Sequence, residues 1–157
     1  RGVMRGRLRA LALPALLVAL AGQAAPAAAD AVKDLGPAAQ AAINGLRAAS
    51  GRAPLTVSGA LTRAAADHAG DMARSGRFSH TGRDGSTVGD RVRRHGYGFC
   101  FVAENIARGQ VTPGAVLDDW MASPGHRRNL LDPRAAEVAL VRGPGPVWVM
   151  VLGRDGC

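Results

Sequence analysis

Val147-Trp148-Val149-Met150-Val151-Leu152 is apolar at every position. A strand with one wet face alternates apolar and polar residues, so an unbroken run suits a strand buried on both faces. Such a strand needs a covering layer above and another below. Immediately upstream, Gly143-Pro144-Gly145-Pro146 is a turn by composition, and Glu137 to Val141 reads as the strand leading into it. Phe99 to Val102 is a further strand candidate, with Cys100 inside it.

The covering layers come from the earlier part of the chain. Pro37 opens a helix to about Ser50, with Ile43 and Leu46 on one face and Gly51 as the stop. Ser58 is the N-cap of a second helix, which runs to about Ser75 before Gly76 and carries the stripe Leu61, Ala65, His68, Met72. A short third helix covers Thr87 to Arg94 and stops at Gly96, with Val88 and Val92 on its apolar face. Pro113 opens a fourth, which buries Val116, Leu117, Trp120 and Met121 while Asp118 and Asp119 point away, and Pro124-Gly125 ends it. Helices come first and strands last, so the expected class is α+β, with a central antiparallel sheet between helical layers. No internal repeat is visible.

The first residues read differently. Arg5, Arg7 and Arg9 precede the apolar run Ala10 to Ala21, and Ala27 and Ala29 form a small-residue cleavage site before Asp30. That order is the pattern of a secretory signal peptide; the run has 12 residues and contains Pro14, whereas a membrane span needs about 20. The expected organisation is therefore a signal peptide over 1–29, a lead-in linker over 30–37 at the end of an unpacked Ala/Gly/Pro stretch, and a domain over 38–157. The expected location is secreted or periplasmic, with no membrane span.

Export changes two counts. The chain of 157 residues has a net charge of +8 from 20 basic and 12 acidic residues, which by itself suggests an anionic partner. Removing residues 1–29 takes away four Arg and no acid, leaving 16 basic and 12 acidic residues. Arg91, Arg93, Arg94, Arg127 and Arg128 then read as solvated helix faces; Tyr97 and Phe99 lie nearby, but no nucleic-acid motif accompanies them, so no specific nucleic acid is expected. Both cysteines, Cys100 and Cys157, lie in the exported part, where disulfides form. A Cys100–Cys157 bridge would tie the end of the chain to the middle of the domain.

The chain has no H-E-x-x-H, G-x-S-x-G, P-loop or C-x-x-C motif. His68 sits in the stripe of the second helix and reads as a hydrogen-bonded core residue. His95 follows Arg93-Arg94 at a helix end and is placed to meet the terminal carbonyls. His80, in Phe78-Ser79-His80-Thr81-Gly82, and His126, in Ser123-Pro124-Gly125-His126-Arg127, each lie just past a helix end. Glu104 follows a strand-like run, an unusual place for an acid without a partner. His80, Glu104 and His126 are candidates for a metal site or an acid–base set, set against a structural hydrogen-bond network.

Three motifs in order, Phe78-Ser79-His80, Ala103-Glu104-Asn105-Ile106 and Trp120 through Asn129, resemble the CAP superfamily of cysteine-rich secretory, antigen 5 and pathogenesis-related 1 proteins, in its compact bacterial secreted branch. The resemblance runs from about residue 38 to the end and implies an α-β-α sandwich. It also implies a cleft lined by two His and two Glu that can hold a divalent metal such as zinc. His80, Glu104 and His126 match three of those positions, and Ser123 stands where the second Glu belongs. Glu137 belongs to a different motif; Asn105 and Asn129 read as structural and Trp120 as core.

The expected function is a secreted CAP-domain protein, monomeric, whose His/Glu cleft binds a small ligand, lipid or protein partner without turnover. The alternative is a metal-assisted, peptidase-like hydrolase, with water held at His80 and His126 and Glu104 as general base.

Overall fold

The computed structural model describes residues 31–156 together with Gly2; the signal-peptide reading of 1–29 and Cys157 lie outside the described residues. Its elements run β1 (Lys33–Asp34), α1 (Gly36–Ala49), β2 (Thr56–Val57), α2 (Gly59–Ser75), α3 (Val88–Arg94), β3 (Phe99–Arg108), α4 (Pro113–Ala122), α5 (Pro124–Leu130), β4 (Glu137–Gly143) and β5 (Val147–Asp155). The sheet has the order β1-β4-β5-β3, with β2 also on β4. Strands β1, β3, β4 and β5 pair antiparallel. Among the described residues only β2 runs parallel to its partner, so the sheet is mixed at that one short edge.

The apolar run in β5 has the role its composition demands. Trp148, Met150 and Leu152 join Ile43 of α1, Val116 and Trp120 of α4 and Leu130 of α5 on one face of the sheet. Val147, Val149 and Val151 join Leu61, Ala65 and Met72 of α2 and Val92 of α3 on the other. Successive side chains point to opposite faces of a strand, so each residue of the run is claimed by one of two apolar layers. The result is the α-β-α sandwich.

Several local readings need correction. Pro124-Gly125 does not simply end α4: Pro124 is the first residue of α5, where a missing N–H costs nothing and the fixed φ favours a helix. His126 therefore lies inside a helical turn. Met121 is only partly buried. β3 does not stop at Val102 but continues to Arg108, so Glu104 sits within a strand. The lead-in is not wholly unpacked, since Lys33–Asp34 pairs with β4 and Leu35 N–H donates to Leu140 O at 2.8 Å. Ser58 stands at the N-cap of α2 without a side-chain cap bond, whereas Thr87 and Asp90 form a full capping box on α3.

Candidate functional site

Strand alternation decides where the site residues point. Phe101 and Ala107 of β3 belong to the α1/α4 layer and Ile106 to the α2/α3 layer. Glu104 shares the parity of Ile106, and its carboxylate enters the α2/α3 side. There Oε2 accepts from Arg91 Nη2 of α3 at 2.8 Å, and Oε1 accepts from His80 Nδ1 at 2.8 Å. The Glu104 side chain is only 3% exposed, so both bonds are made almost without water. Asn105 is fully buried and faces the opposite layer. Its Nδ2 donates to His126 O at 3.0 Å, and its Oδ1 accepts from Asn129 Nδ2 at 2.8 Å. One strand thus reaches both histidine-bearing layers through adjacent residues.

Arg91 does more than neutralise Glu104. Its Nη2 also donates to His80 O at 3.1 Å and its Nη1 to Ser86 O at 2.9 Å, so one guanidinium fixes the carboxylate and the loop that carries His80. Arg91 is 4% exposed, which corrects its reading as a solvated cation. His68 also belongs here, with Nε2 2.9 Å from Ser79 O and 3.7 Å from Glu104 Oε1. Burial pushes the His68 imidazole below its ordinary pKa, outweighing the pull of the Glu104 carboxylate, so the approach to Glu104 is a contact of a neutral ring and not an ion pair. Neither residue is legible in the sequence as part of the site. The only signal is helical phase: Arg91 adjoins Val88 and Val92, and His68 lies in an apolar stripe.

His80 is more than half exposed. A carboxylate only accepts hydrogen bonds, so Nδ1 carries the proton and, in the neutral ring, Nε2 presents a lone pair. His126 Nδ1 lies 2.9 Å from Ser123 Oγ, and its ring is 6.5 Å from that of Trp120, centroid to centroid. Burial lowers the His126 pKa first, and the charge of His80 lowers it further. Glu104 is bonded to His80 alone of the pair. Ser123 is accounted for as the partner of His126.

The donor set fits a resident divalent metal poorly. Among the described residues, no three His, Cys, Asp or Glu side chains are arranged to hold one ion. The Glu104 carboxylate is 3% exposed and held by His80 and Arg91, which leaves the two Nε2 atoms, fewer than the three protein ligands of an open zinc site. The other expected residues fall elsewhere: Glu137 accepts from the Tyr97 hydroxyl at 2.5 Å, and His95 pairs with Asp67 at 2.7 Å instead of the helix-end carbonyls. Apart from these residues, a cavity of about 600 Å3 is lined by Arg52, Met121, Arg127, Arg128 and Leu131, among others.

Residues 40–151 match the CAP, or cysteine-rich secretory protein, family. The chain belongs to that family. Among curated proteins, this CAP chain is 32% identical over 106 residues to the uncharacterized protein YkwD of Bacillus subtilis, covering 67% of this chain and 41% of that one. It is 32% identical over 89 residues to the uncharacterized membrane protein YlbC of the same organism, covering 57% and 26%. The CAP chain thus spans less than half the length of these relatives. Among solved structures, an extracellular protein with an SCP domain from Bacillus anthracis is similar with a TM-score of 0.71 and 28% identity, covering 76% of this chain and 40% of that one. An outer surface protein of Borrelia burgdorferi has a TM-score of 0.71 at 20% identity, covering 76% and 92%. That likeness bears on the fold alone.

Proposed function

We propose that the chain is an exported CAP-domain protein whose His80–Glu104–His126 cleft binds a small ligand, lipid or protein partner without turning it over. The observation that carries this reading is the double engagement of Glu104. A general base must lie within reach of the substrate, and the Glu104 carboxylate is 3% exposed, with one oxygen held by His80 and the other by Arg91. Ser123 stands where the family's second acid would be. What the cleft offers is an exposed His80 Nε2 oriented by its carboxylate, suited to receiving a polar hydrogen.

A separate cavity of about 600 Å3 offers a lipid Met121, Leu131 and Pro133 for an acyl chain and Arg52, Arg127 and Arg128 for an anionic headgroup; a lipid held there would survive His80→Ala and count against the cleft. A divalent cation on His80 and His126 is the competing occupant of the cleft. Export is supported by the Arg5-to-Ala29 pattern and by the similarity to a B. anthracis protein described as extracellular. No helix among the described residues is long and apolar enough to cross a membrane. We include the Cys100–Cys157 bridge in the proposal; no described cysteine is free.

The experiment is native mass spectrometry and solvent extraction of the exported protein, with zinc titration and a peptidase panel in parallel. A retained ligand that is lost in His80→Ala and in His126→Ala, with no turnover, is the expected result. Peptidase activity abolished by His80→Ala would overturn it in favour of the hydrolase, with His80 Nε2 as base and Glu104 orienting the ring.

A further inference from the structure

Three segments meet at one end of the sandwich: the C-terminus of α2, the C-terminus of β3 and the turn between β4 and β5. Met72, Arg108, Pro144 and Val147, drawn from all three, share the wall of a groove of about 210 Å3. Gly109 N–H donates to Pro146 O at 3.0 Å and Trp148 Nε1 to Gln110 O at 2.8 Å, so the chain leaving β3 is pinned to the hairpin. Both large apolar side chains that are exposed among the described residues belong to this end: Phe78 is 46% exposed and Val111 75%. Phe78 follows the end of α2 and has the Arg108 guanidinium 5.0 Å from its ring centroid. Val111 directly follows the pinned Gln110.

An apolar residue exposed singly needs no explanation, but here two stand at one end among unopposed cations. Segments 72–79, 107–112 and 142–147 carry Arg74, Arg77, Arg108 and Arg142 and no acid. Among the described residues none of these four makes an ion pair, whereas Arg83, Arg91, Arg94 and Arg134 each do. Lys33, opposite Arg142 in the β1–β4 register, adds a fifth cation. Against them stand Asp34, which accepts from Gly36 N–H at 2.9 Å, and Asp119, which accepts from Gln110 Nε2 at 2.7 Å. The end is cationic on balance. An anionic polymer would pair with the cations and leave Val111 in water. Anionic headgroups over hydrocarbon use both features, because charge draws the cations in and apolar tips enter the boundary with the acyl chains.

We propose that this end of the sandwich docks peripherally on an anionic lipid bilayer, with Phe78 and Val111 entering the headgroup boundary and Arg74, Arg77 and Arg108 meeting lipid phosphates. The contact goes beyond the cleft reading and uses none of His80, Glu104 and His126. Glu104 lies four residues along β3 from Arg108, about 13 Å at the rise of a strand, so docking holds the cleft close above the headgroups.

The test is flotation of the exported protein with phosphatidylcholine vesicles, either pure or mixed with phosphatidylglycerol. The protein should float with the anionic vesicles only, and less so at high salt, which screens exposed charge. Arg108→Ala should weaken binding about fivefold, the share of one cation at an anionic surface. Val111→Asp changes a side chain that is 75% exposed, so it spares the core, and it should weaken binding about tenfold by removing an apolar tip and adding a repelled charge. Circular dichroism should show both variants folded as the parent. No flotation with anionic vesicles, equal flotation with neutral ones, or binding that both variants retain in full would overturn the proposal. So would flotation lost in His80→Ala or Arg127→Ala but kept in Arg108→Ala, which would move the lipid to the cleft or to the larger cavity. Binding to polyglutamate or DNA as tight as to the vesicles and indifferent to Val111→Asp would overturn it in favour of an anionic polymer.

Discussion

Glu104 meets Arg91 where neither side chain sees much water, and that makes the pair sensitive to loss of either member. Removing one partner of a buried pair strands a charge and costs about 3–5 kcal/mol, far more than an exposed ion pair contributes. Arg91→Met should therefore lower stability by about that amount in urea unfolding, and adding Glu104→Gln should recover part of the loss, a coupling that a double-mutant cycle reads directly. His68 makes a second residue-level prediction. Its folded-state pKa is lowered, chiefly by burial, so between that value and the unfolded value near about 6.5 the unfolded chain holds the extra proton. Stability is complete above that window and is lost as pH falls through it; His68→Gln should flatten the slope below neutrality in unfolding curves collected across pH. The residues that govern both effects show how far the sequence can be read. Glu104's position announces that it needs a partner, but Arg91 is one of three near-identical arginines in α3, and only the fold tells the buried one from its exposed neighbours Arg93 and Arg94.

At the scale of elements, the apolar run of β5 is enough to predict two covering layers, because alternation leaves no face of that strand for water. Element ends are harder to read. Pro124-Gly125 carries the composition of a stop, yet the same proline is a favourable first residue of α5, and the distinction depends on packing of the next turn, where Leu130 is fully buried. β3 reads short because Glu104 and Asn105 interrupt its apolar pattern; both are polar for the sake of partners in opposite layers. Packing between elements also sets a glycine requirement invisible in composition. A Cβ on Gly153 of β5 would lie 2.7 Å from the Tyr97 hydroxyl and 2.8 Å from its Cε1, and Tyr97 is itself buried and bonded to Glu137. Overpacking of this kind costs about 1–3 kcal/mol. Gly153→Ala should lower stability by that order, and the penalty should shrink when Tyr97→Leu is introduced beside it; chemical denaturation of the single and double variants measures both.

For the molecule as a whole, the exposed question is how the sheet ends at β3, whose outer edge has no neighbouring strand among the described residues. Unpaired strand edges invite association and fraying. Over the cleft half of β3 the outward carbonyls are caught by side chains, Glu104 O by Asn129 Nδ2 at 3.3 Å and Ile106 O by Trp120 Nε1 at 3.3 Å. The other half has different protection. Phe99 pairs with Asp155, the register shifts between Phe99 and Phe101, and Cys100 lies at that irregularity. Gly156 N–H donates to Gly98 O at 3.2 Å, and its φ of 70° turns the chain off the strand beside Cys100, a conformation glycine adopts without strain. These neighbours support the proposed Cys100–Cys157 bridge, which would close a loop of 58 residues and contribute on the order of 4 kcal/mol in the chain-entropy model. Cys157→Ser and Cys100→Ser should each lower stability by that order, equally, and a reductant should lower the parent protein to the same level while leaving both variants unmoved. Thiol titration should find none before reduction and two per chain after it. Hydrogen exchange should quicken at Phe99 to Phe101 in the variants and stay slow around Glu104 and Asn105, because Arg91 and Asn129 hold that half of the strand independently of the staple.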